Sequence, residues 1–266
     1  MSLHRFFLDD QVLSAEEGGS FALRLSDADA HHARVLRLAP GEHIAVVDAA
    51  GDCFECEVAR AGDDVVVSIA SREGGVEPAF RLTLFQALVK GDKMETVVRH
   101  ATEVGAGAFV PFSSSRCVSR PDGAKAARKR DRWAAIARSA AMQSGRCAVP
   151  EVAPVATFQG ALERLGAFDA VVVFWEEAAF ASTLHDALTH VEGVVGANVA
   201  VVVGPEGGLS EDEVASLLAA NGAARVASLG PTILRAETAA VVGLALASYE
   251  LGGMGAGPLW PAEGDA

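Results

Sequence analysis

From residue 82 onward the chain alternates short, almost purely apolar runs with amphipathic stretches, and this alternation restricts its fold more than any other feature. The runs cover residues 82–88, 108–112, 170–175, 199–204 and 225–229. The stretches that follow them cover 93–104, 124–144 with a short 158–165, 178–190, 211–221 and 237–251. Apolar runs of this length, without polar alternation, suit strands covered on both faces, and the intervening helices supply the crossovers a parallel sheet needs. In the first helix Met94, Val97, Val98, Ala101 and Val104 mark one face, with Asp92 at the N-cap position and Gly105 at the end. The spacing predicts an α/β domain built on a parallel sheet.

The N-terminal part obeys a different rule. Short β-type runs at 21–25, 44–48, 53–59 and 65–70 are separated by turn signals such as Pro40-Gly41, Ala50-Gly51-Asp52 and Gly62-Asp63-Asp64. Many short strands with turn chemistry predict a small β-barrel. Residues 26–38 are the exception, a helical turn carrying His31, His32, Arg34 and Arg37. Residues 72–78 (REGGVEP) read as a linker. The expected organisation is therefore a barrel over 1–74, an α/β domain over 75–251 and a flexible Gly/Pro-rich tail over 252–266. No internal repeat is present.

With half of its 266 residues hydrophobic and 21% charged, the chain has the composition of a folded protein rather than a disordered one. The N-terminus lacks a secretory pattern, and the longest apolar stretches, such as 239–247, are about half the ~20 residues a membrane helix needs. A cytoplasmic protein without membrane association is expected. Cys53 and Cys56 are spaced as C-x-x-C but lie in a strand-like segment, where residues three apart face opposite ways. Cys117 and Cys147 are isolated in the sequence, so no zinc set is complete and the four read as structural thiols, with no metal expected.

A net charge of −13 opposes nucleic-acid binding at first sight. Its distribution tells more. Arg116, Arg120, Lys125, Arg128, Lys129, Arg130, Arg132, Arg138 and Arg146 crowd one stretch against only Asp122 and Asp131. Such a patch on an acidic protein can bind RNA; it can equally be a solvated helix face.

Two strand–loop–helix junctions carry the chemistry. In VVVGPEGGLSEDEV (201–214) a strand ends at Gly204, a glycine-rich loop follows, and Ser210 with Glu213 forms a capping box. Ser210 and Glu213 read as a helix start only. So many glycines at a strand's carboxyl end favour a ligand loop, since ligands of open α/β sheets bind there and glycine lets the backbone approach closely. The loop is neither a phosphate-binding Walker loop nor G-x-G-x-x-G. In SLGPTILRAETAAVVGLAL (228–246), Gly230-Pro231 turn after a strand, and Arg235 precedes Glu237 and Thr238 at the start of an apolar helix. A loop arginine there is placed to meet an anionic substrate, although a local salt bridge to Glu237 is the plainer reading.

These junctions resemble the SPOUT methyltransferases, and within them the family that makes N3-methyluridine in 16S ribosomal RNA. The resemblance rests on KGDKME (90–95), EVG with FVPF and SRC (103–117), RW..I....A.Q.GR..VPE (132–151), GPEGGLS (204–210) and LGP.ILRAETA (229–239), in family order. HHARVLRL (31–38) adds a weaker match. The resemblance implies a deep C-terminal trefoil knot, a PUA-like barrel, S-adenosylmethionine (SAM) as cofactor, a homodimer, and 16S rRNA, within the 30S subunit, as partner. It implies that Gly204, Glu206, Gly207, Gly208, Leu229, Gly230 and Leu234 line the SAM pocket. Arg235, Glu237 and Thr238 would serve the reaction centre. RNA contacts would come from Arg34, Arg37, Lys90, Lys93, Arg116, Lys125, Arg128, Arg132 and Arg146. Thr232, Met142 and Ala236 depart from the family's usual arginine, glutamate and threonine.

Uridine N3 carries a weakly acidic imide proton, so methylation there needs that proton removed or the developing anion stabilised. Arg235 suits the second task and not the first, because guanidinium stays protonated. Glu206 or Glu237 could accept the proton if desolvated. His31 and His32 suit RNA contact or packing. Two other readings compete. A Rossmann-type methyltransferase would have to use Gly105-Ala106-Gly107, which follows a helix and precedes a strand, the wrong order. A non-catalytic ribosome-assembly factor with a degenerate knot is opposed by the intact glycine and ILRAET loops.

Overall fold

A computed structural model describes residues 3–15, 19–62, 64–74, 77–120, 122–177 and 182–254. The chain forms two compact units, the first ending at Glu77 and taking in Ala141–Ala148, the second running over Pro78–Ala140 and on from Val149.

The first unit contains β1 (His4–Phe7), β2 (Phe21–Ala22), α1 (Asp27–Leu36), β3 (His43–Val47), β4 (Cys53–Ala61) and β5 (Val65–Glu73). They make a five-stranded sheet in the order β1-β3-β4-β5-β2. Phe6, Leu13, Ile44, Val46, Cys56, Val58 and Val67 fill its core at 0% exposure. The sequence pattern misses β1, whose four residues HRFF show no alternation, and it overextends β2. It also begins the linker too early, since β5 continues through Glu73. Ser26 caps α1 by accepting from the Asp29 amide. The helix ends on Arg37 at φ 56°, the left-handed conformation.

Within this unit Cys147 is bonded to Cys53, with Cα atoms 6.2 Å apart. This corrects the expectation that Cys147 is isolated and that Cys53 is an unpaired structural thiol: the two are 94 positions apart, and no local spacing could pair them. Cys56 points the other way into the core, as strand alternation requires, and burial followed by Glu55 pushes its thiol up to about 12.

The second unit contains β6 (Arg81–Ala87), α2 (Lys93–Glu103), β7 (Ala106–Ser113), α3 (Gly123–Ser144), β8 (Glu151–Val152), β9 (Ala156–Thr157), α4 (Phe158–Leu165), β10 (Ala170–Phe174), α5 (Leu184–Leu188), β11 (Asn198–Val203), α6 (Glu211–Ala220), β12 (Ala224–Ala227) and α7 (Ala236–Glu250). Its sheet runs β12-β10-β11-β6-β7-β8, with β9 also paired to β7, and its pairings are parallel. β10 (AVVVF) and β11 (NVAVVV) are the valine-rich centre, and every residue of β10 is buried. Helices cover the sheet as the alternation predicts.

Three local expectations change. Asp92 stands at the N-cap of α2 but makes no side-chain capping bond. The helix expected over 178–190 is described only as α5 and a following 3₁₀ turn over Thr189–Val191; residues 178–181 lie outside the described set. β12 stops at Ala227, which leaves Leu229 in a loop.

Candidate functional site

The carboxyl ends of β10, β11 and β12 open into one cavity of about 340 Å³. Phe174, Trp175 and Glu176 contribute from β10, Val203 to Glu206 and Gly208 from β11, and Ser228 to Ala236 from the segment after β12. Ala239 of α7 and Lys93 of α2 complete the lining. The volume falls within the ~300–1,000 Å³ common to small-molecule sites.

The loop after β11 is held from three directions through its carbonyl groups. Gln86 donates to the Gly204 oxygen at 3.2 Å, Arg116 to the Gly207 oxygen at 2.9 Å, and the Trp175 indole to the Leu209 oxygen at 3.1 Å. The capping box then starts α6, with the Ser210 amide donating to Glu213 at 3.0 Å. Glu213 also accepts from the Ser115 amide at 2.6 Å, so one buried carboxylate ties the loop after β7 to the helix start. Gly208 needs its lack of a side chain for φ +70°, and its open face is where the mobile end of the Glu176 side chain lies. Gly230 needs it for φ +106° alone.

One cation joins the cavity walls. Lys93 Nζ lies 3.3 Å from Glu206 Oε1 and 3.2 Å from Glu237 Oε2. The Glu206 oxygen also accepts from the Lys90 amide at 3.0 Å. The bond that its ammonium makes to the Glu237 carboxylate is the largest influence on Lys93 and, with Glu206, raises its pKa above that of an ordinary lysine. Burial is the largest influence on Glu206 and works to raise its pKa. The backbone bonds from Lys90 and its own amide, with Lys93, outweigh it and hold the carboxyl below its ordinary value.

Of the expected cofactor residues, Gly204, Glu206, Gly208, Leu229, Gly230 and Leu234 line this cavity and Gly207 does not: it packs against the Arg116 side chain. Arg235, the N-cap residue of α7, lines it too. Glu237 reaches it through Lys93, whereas Thr238 is exposed on α7 away from the lining.

The expected RNA contacts divide. Arg34 and Arg37 are exposed on and just after α1, Lys125 and Arg128 on α3, and Lys90 before α2. Arg132 is exposed and pairs with Glu95 at 2.8 Å. Three of them have partners within the protein. Lys93 pairs with Glu206 of the cavity wall and with Glu237 of α7, and the exposed Arg116 donates to the glycine loop. Arg146 is 7% exposed and bound to Glu77, so it stabilises the first unit rather than meeting phosphate. Phe174, Trp175, Glu176 and Gln86 escaped the sequence reading. The first three immediately precede or follow a strand's carboxyl end, and the rule that located Gly204 would have found them.

A parallel α/β domain with a glycine-loop cavity at its strand ends matches the model of the RNA methyltransferase domain over residues 76–248, and residues 25–69 match that of the RNA methyltransferase PUA domain. A Bacillus subtilis protein named ribosomal RNA small subunit methyltransferase E is 35% identical over 252 residues, covering 93% of this chain and 97% of that protein. One of the same name from Mycobacterium bovis is 36% identical over 85% of each chain. The Neisseria gonorrhoeae structure of that name, bound to S-adenosyl methionine, has a TM-score of 0.78 at 27% identity, covering 93% of this chain and 97% of that one. A Legionella pneumophila methyltransferase in complex with SAM has a TM-score of 0.78 at 28% identity, over 94% and 98%. The chain belongs to the ribosomal RNA small subunit methyltransferase E family.

Proposed function

We propose that this protein transfers a methyl group from SAM to N3 of a uridine in 16S ribosomal RNA. The observation that carries the reading is the cavity itself: a carbonyl-braced glycine loop and the Gly230–Arg235 segment face each other at the ends of three parallel strands, with Arg235 in the wall. The donor set fits the cofactor. Phe174, Trp175 and Leu229 offer apolar surface to an adenine ring, and backbone groups of the two loops offer polar partners. SAM supplies an electrophilic methyl on a sulfonium. Arg235 sits where its guanidinium can face the uracil oxygens and stabilise negative charge as N3 loses its proton.

Residues 1–74 serve as the RNA-binding barrel and 75–251 as the catalytic domain; the tail expected over 252–266 lies, past residue 254, outside the described residues. A knot in the catalytic domain is favoured by the path of α7. It follows β12 at the sheet edge yet packs on β6, β11 and α2. A homodimer is favoured by the outer face of α7, where Leu246 and Tyr249 are 42% and 67% exposed and Val241, Val242 and Ala245 stand half-buried. The partner is 16S RNA, assembled in the 30S subunit, and the reaction belongs in the cytoplasm. No helix among the described residues is long and apolar enough to cross a membrane.

Mass spectrometry of 16S RNA nucleosides, from cells with and without the protein, tests the reading. N3-methyluridine present only with the protein is expected. Unchanged nucleosides, or a change in a different methylated base, would overturn it.

A further inference from the structure

Lys93 is the point where three walls of the cavity meet. It opens α2, Glu206 lies in the glycine loop, and Glu237 lies in the first turn of α7. Both carboxylates come within 3.3 Å of one ammonium nitrogen. One ammonium is shared by carboxylates on two other elements, so the cluster carries a net charge of about −1. The Glu237 side chain is only 17% exposed, the other two 33%, so water screens the group incompletely.

Resting on the proposed methyl transfer, we propose that Lys93 is a positioning residue of that reaction: it keeps the Glu206 and Glu237 carboxylates together in the wall and so fixes the glycine loop against the start of α7, which carries Arg235. The alternative, a phosphate contact on RNA, is opposed by the two carboxylates that already occupy the ammonium. Without Lys93 the two acids would face each other uncompensated, and the mutual repulsion of neighbouring carboxylates favours the protonated form of one of them. The other charged groups on the packed elements do not replace it. On α2, Glu95 is held by Arg132; on the loop after β7, Arg116 binds the Gly207 carbonyl. Glu176, after β10, is a further acid, beside Gly208, and brings no positive charge. Lys90 touches Glu206 through its backbone amide, and Arg235 faces the cavity from the N-cap of α7.

The sign of the pH effect follows. In Lys93→Met the pair's folded-state pKa rises above its unfolded value, so folding loses stability as pH rises through that range. The full-length wild type, Lys93→Met, Lys93→Arg and Lys93→Met/Glu237→Gln are to be melted without ligand from pH 5 to 8, titrated with SAM by calorimetry, and assayed on 30S subunits lacking the modification. The melting deficit of Lys93→Met should widen as pH rises, and should shrink in the double variant, where the repulsion is gone. Its SAM affinity or turnover should fall about tenfold, the scale set by stranding a partly buried charged group, with the acid limb of its pH–rate profile moved to higher pH. Lys93→Arg should restore the wild-type pH dependence in both measurements. A deficit independent of pH and equal in the Met and Arg variants would reduce Lys93 to a space-filling role and overturn the proposal, as would wild-type SAM affinity and pH–rate profile in Lys93→Met. A wild type that transfers no methyl group sinks the proposed function instead, and the melting and calorimetry arms still decide for or against the triad.

Discussion

Arg116 donates to the Gly207 carbonyl at 2.9 Å, and a Cβ on Gly207 would stand 3.3 Å from the Cβ of that same arginine. The glycine loop is thus gripped from outside the cavity by a residue whose sequence neighbourhood suggests RNA. Arg116 is exposed, so water can take its place at this carbonyl and its removal costs about 0.5–1 kcal/mol of loop order. Arg116→Ala should therefore weaken SAM binding by roughly two- to fivefold while leaving the salt dependence of RNA binding unchanged. Titration calorimetry and a salt series check it. A salt slope reduced by about one, with SAM affinity intact, would return Arg116 to the RNA surface.

Gly207 and Gly208 are adjacent but differ in what they face. Gly208 lines the cavity at φ +70° with the Glu176 carboxylate where a side chain would go; Gly207 faces Arg116 at an ordinary φ. Gly208→Ala should lower SAM affinity at least tenfold, since left-handed strain alone costs ~1–2 kcal/mol. Gly207→Ala should stay within a few-fold, because Arg116 needs to give by only a few tenths of an ångström. Equal losses in the two would mean that the loop's flexibility, rather than its facing, governs binding.

Gly243 of α7 lies directly beneath the Phe174 ring, and an added Cβ would collide with it. Gly243→Ala should therefore destabilise the protein despite alanine's better helix propensity. Overpacking costs ~1–3 kcal/mol, and at roughly 2–4 °C per kcal/mol the melting temperature should drop by several degrees. An unchanged or higher melting temperature would show that the ring moves aside freely.

The α/β unit was legible because valine-rich β10 and β11 and the helices around them carry two distinct periods, and the glycine loop because nothing else demands such a run after a strand. Cys53–Cys147, Arg146–Glu77 and Lys93–Glu237 were not legible. Each joins residues far apart in sequence, and each turns a residue that looked free into one already committed. For the arginines and lysines this matters most: charge can be counted along a chain, but a cation's availability depends on which carboxylate the fold brings to it. β1 failed for a different reason, since four residues beside a short turn carry too little pattern.

Availability separates the basic residues in a measurable way. Arg34 and Arg37 are exposed, whereas Arg146 is buried against Glu77. Replacing Arg34 and Arg37 together with glutamine should cut the slope of log affinity against log salt by about 1.4–1.8, the share of two phosphate contacts. Arg146→Gln should leave the slope alone and lower the melting temperature, because Glu77 would keep only its bonds from the Cys147 and Ala148 amides and lose its charged partner. Binding curves over a salt series decide; a slope changed by Arg146 and not by the α1 pair would reverse the assignment.

The remaining prediction concerns the chemistry. Arg235 caps α7 with its backbone extended at φ −64° and ψ 150°, and its side chain lines the cavity opposite the glycine loop. If the guanidinium stabilises the uracil anion, Arg235→Ala should lower turnover on the order of a hundredfold, as loss of one preorganised donor does elsewhere. SAM affinity should change little, because a sulfonium gains nothing from a nearby cation. Turnover should partly recover as pH rises, since more uridine is then ionised before it reaches the site and less stabilisation is demanded of the protein. The rate is to be followed with saturating SAM across pH 7 to 9.5, beside SAM affinity by calorimetry. Normal turnover at saturating SAM, with affinity lost, would make Arg235 a clamp on the cofactor and remove it from the reaction centre.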